Sequence, residues 1–157
     1  MGFGEPEAWM ANAYTAESDE TLEAVGFYAT APDTEYEVYV FDGDSFREHV
    51  ENNVKFQTDS GKVLASGTLP DTGFYTVTLA KSQGLDAGEL FVVAVKIRTP
   101  GTTQPVAVEY AGSGRTGNVD IGDGEGYISF DGSLWERTET SKRCNVCLKA
   151  YSRKIGK

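Results

Sequence analysis

LFVVAVKIR, residues Leu90 to Arg98, is β-branched and nearly continuous in apolar side chains. A strand with one wet face would alternate apolar with polar residues. This stretch instead predicts a central strand, either covered on both sides or crossing the core. The segments around it have a period of two: Tyr36, Val38 and Val40 alternate with Glu35, Glu37, Tyr39 and Phe41, and Phe74, Thr76 and Thr78 interleave with Tyr75, Val77 and Leu79. Further strands are expected at Ala8 to Thr15, Leu22 to Thr30, Lys62 to Ser66, Pro105 to Tyr110, Tyr127 to Asp131 and Asn145 to Tyr151. Turn residues separate them, as in Ala31-Pro32-Asp33, Pro70-Asp71-Thr72-Gly73 and Phe130-Asp131-Gly132. Only Asp44 to Asn53 argues for helix, with Phe46 and Val50 at i and i+4 behind an acidic cap. About nine short strands, 18 glycines and little helix give an all-β fold, a β-sandwich of jelly-roll type.

The 157 residues, 39% of them hydrophobic, can bury one good core, so residues 1–157 are read as a single domain. Asp plus Glu number 24 against 14 Lys plus Arg, a net charge of -10 that repels phosphate backbones and anionic lipid. Nucleic acid and membrane insertion are therefore not expected. No apolar run approaches the ~18 residues of a membrane span, and Met1 to Glu5 lacks the basic start and apolar stretch of a signal peptide. Strand-like sequence by Ala8 favours a domain excised from a longer exported chain over a cytosolic protein.

The two cysteines, Cys144 and Cys147, join the single His49 as the only soft metal ligands, too few for a four-ligand zinc site. A redox couple wants its first Cys at a helix N-terminus, whereas Asn145 to Tyr151 alternates as a half-buried strand does. Along one strand the two thiols would face opposite ways and lie too far apart to bond. They pair only if Cys144 sits in a turn, and two unpaired thiols are expected, with Cys147 acting as a small hydrophobe.

Ala8 to Phe41, Thr72 to Ile97, Pro105 to Tyr110, Gly126 to Trp135 and Asn145 to Tyr151 together resemble the lectin-like domain found in secreted bacterial and archaeal proteins that carry papain-like cysteine peptidases. The resemblance rests on four motifs: W-x-A-N-x-Y-T-A from Trp9, G-x-Y-T-V-x-L from Gly73, S-x-D-G-x-x-W from Ser129 and N-V-C-x-K-A-Y from Asn145. It implies an exported, non-catalytic accessory domain beside a peptidase, assigned to carbohydrate binding by its fold. The family's closing motif carries one cysteine, matching Cys147, so Cys144 is an addition. No Gly-flanked papain-type Cys is present, and no His follows Cys144 or Cys147.

A sugar site needs an aromatic face for the pyranose and carboxylate or amide groups for its hydroxyls. Trp135, after the turn Asp131-Gly132-Ser133 and before Glu136, is one candidate, although a large aromatic there is read first as a plug at the sandwich end. Tyr75 and Tyr110 are further candidates on sheet faces, whereas Trp9 is expected in the core. Acidic runs at Glu17 to Glu20 and Asp33 to Glu37 read as solvated turns and strand faces. No cofactor is required. Calcium is a candidate at Asp42 and Asp44, or at Asp120, Asp123 and Glu125 in the glycine-rich loop 111–126, though neither place fits an EF-hand.

The expected function is binding of a glycan or cell-envelope polysaccharide so as to hold an adjacent peptidase domain at an extracellular or cell-surface site. The alternative is a docking or stabilising module for the peptidase with no sugar ligand. An aromatic patch along a sheet face would favour docking, and a concave groove combining exposed aromatics with acids would favour glycan.

Overall fold

The computed structural model describes residues 7–16, 18–52, 63–101, 108–110, 125–129, 132, 134–137, 144–146 and 148–154, without the side chains at 81, 82, 108–110, 125, 136, 137, 144–146 and 154. Eleven strands and one helix occur among them: β1 (Glu7–Thr15), β2 (Glu20–Ala29), β3 (Thr34–Asp42), α1 (Gly43–Glu51), β4 (Ala65–Leu69), β5 (Gly73–Leu85), β6 (Leu90–Arg98), β7 (Val108–Tyr110), β8 (Glu125–Ser129), β9 (Glu136–Arg137), β10 (Cys144–Val146) and β11 (Leu148–Lys154). Six form one sheet in the order β4-β3-β6-β1-β8-β9, three form a second in the order β11-β2-β5, and β10 pairs with β7. All pairings are antiparallel. The chain is the all-β sandwich expected from its periodicity.

β6 lies between β1 and β3 near the middle of the large sheet. Its Phe91, Val93, Val95 and Ile97 point into the core between the sheets, where they meet Leu22, Val25, Phe27 and Leu148 of the small sheet. Val92 and Ala94 point the other way, into a second cluster with Trp9, Ala11, Ala13, Tyr39, Phe46, Tyr127 and Trp135. Both faces of this strand are buried, which is why its sequence does not alternate.

α1 covers part of that second cluster. Asp42 caps the helix, its carboxylate accepting from the Asp44 N–H at 3.1 Å, and Phe46 is fully buried one turn in. The Phe46 ring meets Tyr127 and Trp135 edge-on, with centroids 4.9 and 5.2 Å away, and stacks on Phe41 at 5.9 Å.

Three expectations are corrected. The closing strand is two elements in different sheets: β10 continues into the pair with β7, while β11 pairs with β2. Cys144 starts β10, and Cys147 and the side chain of Cys144 lie outside the described residues, as does the expected state of the two thiols. The strand expected at Lys62 to Ser66 runs instead from Ala65 to Leu69, set by pairing with β3. Glu20 is not a solvated acid: 9% exposed in β2, it accepts from the Ser18 N–H at 3.1 Å and from the Ser152 hydroxyl.

Candidate functional site

The motifs that carry the family resemblance fold onto one another. Alternation along β1 sends Asn12 and Tyr14 inward, toward β11. There the Asn12 amide donates to the Leu148 carbonyl at 3.1 Å, and the Tyr14 hydroxyl donates to the same oxygen at 2.7 Å. The opening motif thus clamps the closing one across 136 residues of sequence. Trp9, on the other face of β1, packs against Trp135 with centroids 6.2 Å apart. Between them the S-x-D-G-x-x-W turn is closed by the Ser129 hydroxyl, which donates to the Leu134 carbonyl at 2.6 Å and accepts from the Gly132 N–H at 2.9 Å. Gly132 has φ +81°, and a Cβ there would stand 2.6 Å from Trp9 Cε2. Only glycine fits this turn.

Trp135 is 7% exposed and its indole N–H donates to the Gly132 carbonyl at 3.0 Å, so its ring is enclosed by Trp9 and Phe46. Tyr75 is half-buried against the core between the sheets, and its hydroxyl donates to the Asp71 carbonyl at 2.9 Å. Asp131, Asp120 and Asp123 lie outside the described residues, as do the side chains of Glu136, Tyr110 and Glu125. Asp42 and Asp44 sit at the helix start, with Asp44 exposed. Among the described residues no group of three or more His, Cys, Asp or Glu side chains converges.

Beyond α1, the outer face of the large sheet opens into a groove of about 230 Å³ lined by Glu7, Glu35, Glu37, Ser66, Lys96 and Arg98. Strand register builds it, since Arg98 lies opposite both Glu7 and Glu35, and Lys96 opposite Glu37. Arg98 pairs with Glu35 at 3.5 Å and Lys96 with Glu7 at 3.9 Å, the ammonium also standing 5.9 Å from the Trp9 ring. The lining residue Glu37 accepts at 2.7 Å from the hydroxyl of Tyr39, which is only 3% exposed. Burial first, then the hydrogen bond and charge of Glu37, push the Tyr39 pKa well above the usual phenol range. The groove supplies acids and cations, and the aromatic in its lining, Tyr36, is half-buried against the core.

Exposed aromatics occur on the opposite side of the sandwich. On the outer face of the small sheet Tyr28, Phe74 and Tyr151 are 43%, 39% and 40% exposed. Tyr28 and Phe74 are register partners whose rings meet edge-on at 5.0 Å. Both Phe74 and Tyr151 lean over Gly26, where a Cβ would lie 2.5 Å from Phe74 Cζ and 3.1 Å from Tyr151 Cε2. Exposed Thr76 and Thr78 on β5 and Lys149 on β11 complete the face. Sequence reasoning chose Tyr75 and passed over its neighbour Phe74. The available signal was Gly26 inside a strand, a residue that marks a close approach of other groups to the backbone.

A solved structure of the cysteine protease and lectin-like domains of Cwp84, a surface-layer-associated protein of Clostridium difficile, superposes with a TM-score of 0.62 at 21% identity, covering 96% of this chain and 33% of that one. A second structure, of a variant of the clostridial cysteine protease Cwp84 after propeptide cleavage, gives 0.65 at 22% identity, with coverage of 96% and 37%. The chain therefore spans about a third of the length of these proteins and shares the fold of that part. No curated protein matches the chain. The family model described as "Lectin like domain" matches residues 1–152, and the chain belongs to that family.

Proposed function

We propose that this domain, read as one unit over residues 1–157 of a longer exported protein, is a non-catalytic glycan-binding module that holds a papain-like cysteine peptidase at a cell-surface polysaccharide. The observation that carries this reading is the trio of exposed rings on the outer face of the small sheet, Phe74 and Tyr151 over Gly26 and Tyr28 beside Phe74. Exposed ring faces suit the C–H side of a pyranose, and the threonine hydroxyls and lysine ammonium beside them suit its hydroxyls. The neighbouring peptidase and the surface location are carried over from Cwp84, whose solved chain joins a cysteine protease to a lectin-like domain. The groove carboxylates Glu7 and Glu35 are engaged in ion pairs with Lys96 and Arg98, which agrees with a non-catalytic role.

A glycan array on the purified domain, run with calcium and again with chelator, tests the reading. Saturable binding is expected, weakened about two- to tenfold by Tyr28→Ala, Phe74→Ala or Tyr151→Ala, the range for one aromatic contact of about 0.5–1.5 kcal/mol. Loss of binding with chelator would assign calcium to Asp42 and Asp44 or to Asp120, Asp123 and Glu125; unchanged binding would remove it. A folded domain that binds no glycan overturns the proposal.

The same rings lie along an open sheet face with no acid among the register positions around them, the arrangement expected for docking on the peptidase, and this favours the second reading. In that case the three alanine variants would weaken association with the separately purified peptidase domain and leave the array blank.

A further inference from the structure

We propose that the face formed by Tyr28, Phe74 and Tyr151 takes an acidic glycan, with Lys149 receiving its carboxylate. This rests on the glycan reading and names the class of sugar. Register fixes the arrangement. Tyr28 stands beside Phe74; the next row is Lys149, Gly26 and Thr76; the third is Tyr151, Ala24 and Thr78. Leu148 before Lys149 is 2% exposed in the core, so Lys149 points outward with the rings.

None of these eight positions is an acid, in a chain whose net charge is -10. The other cations with described pairings are engaged: Lys96 with Glu7, Arg98 with Glu35, and Arg153 with Glu23 at 2.8 Å. Lys149 has no ion pair among the described residues. A neutral sugar would need only the rings and threonines. An ammonium whose register position lies between those of Tyr28 and Tyr151, with no carboxylate among these eight positions, adds a site for a negative group beside the stacking surfaces. At physiological salt the screening length is about 8 Å, which limits the reach of acids further off, and Glu23 of the same sheet is paired with Arg153.

The test compares polygalacturonate, alginate and hyaluronate, each beside its methyl-esterified form, on wild type, Lys149→Gln and Phe74→Ala. Wild type is expected to bind at least one acidic polymer about two- to fivefold more tightly than its ester, the range for an exposed charge pair. High salt and Lys149→Gln should close that gap, whereas Phe74→Ala should weaken both forms alike. Equal binding of acid and ester, a gap that survives in Lys149→Gln, or array binding confined to neutral glycans overturns the acidic assignment and leaves the stacking face standing. A folded domain that binds no glycan of any kind removes the glycan reading, and this inference with it.

Discussion

Two residues show how single positions set the stability of this domain. Gly132 combines φ +81° with a Trp9 ring that occupies the space a Cβ would need, so Gly132→Ala meets both backbone strain and a clash. A loss of about 1–3 kcal/mol in urea unfolding is expected. Tyr39 makes stability depend on alkaline pH. Its pKa is raised in the folded state, so its phenol stays protonated where the unfolded chain would ionise. The stability it contributes is therefore complete below about pH 10, the ordinary phenol value, and is lost as pH climbs toward the folded value. Thermal melts across this range should fall more steeply for wild type than for Tyr39→Phe. At this scale the sequence was only partly legible. Gly-Phe-Tyr occurs twice, at Gly26 and at Gly73, yet Phe27 is buried and Tyr28 exposed in the first, while Phe74 is exposed and Tyr75 half-buried in the second.

At the scale of elements, α1 follows β3 and covers part of the outer face of the large sheet. Its capping Asp and the i, i+4 pair of Phe46 and Val50 were readable because they are local signals, and the helix runs from Gly43 to Glu51 against an expected Asp44 to Asn53. What it covers was not readable, since Trp9, Tyr127 and Trp135 come from three distant segments. Phe46→Ala should cost about 3–5 kcal/mol, as for other large buried aromatics, with the near-ultraviolet circular dichroism of the tryptophans reduced in the folded variant. An unchanged denaturation midpoint would mean that the helix is not part of the cooperative unit. The ligand face should be indifferent to this change, because it lies on the other sheet.

Across the whole molecule, first and last strands are interdependent. β11 covers one edge of β2, and its Leu148 carbonyl receives both Asn12 and Tyr14 from β1. Deleting Leu148 to Lys157 should leave a chain without cooperative thermal unfolding, since it opens the core and removes the acceptor shared by the buried Asn12 amide and the half-buried Tyr14 hydroxyl. A truncated domain that melts like wild type would refute this clamp. The sequence by itself determined the all-β class, most of the strands and the central place of Leu90 to Arg98, because periodicity and side-chain type are properties of a short stretch of chain; the ends of β4 and the division of the closing strand followed from pairing. Tertiary structure alone decided which face of each strand is wet, that the acids and the exposed rings occupy opposite sides of the sandwich, and that Phe74 and Lys149 share a surface. Alternation specifies two faces without saying which points inward; that choice depends on pairing between strands far apart in sequence, where no local signal reaches.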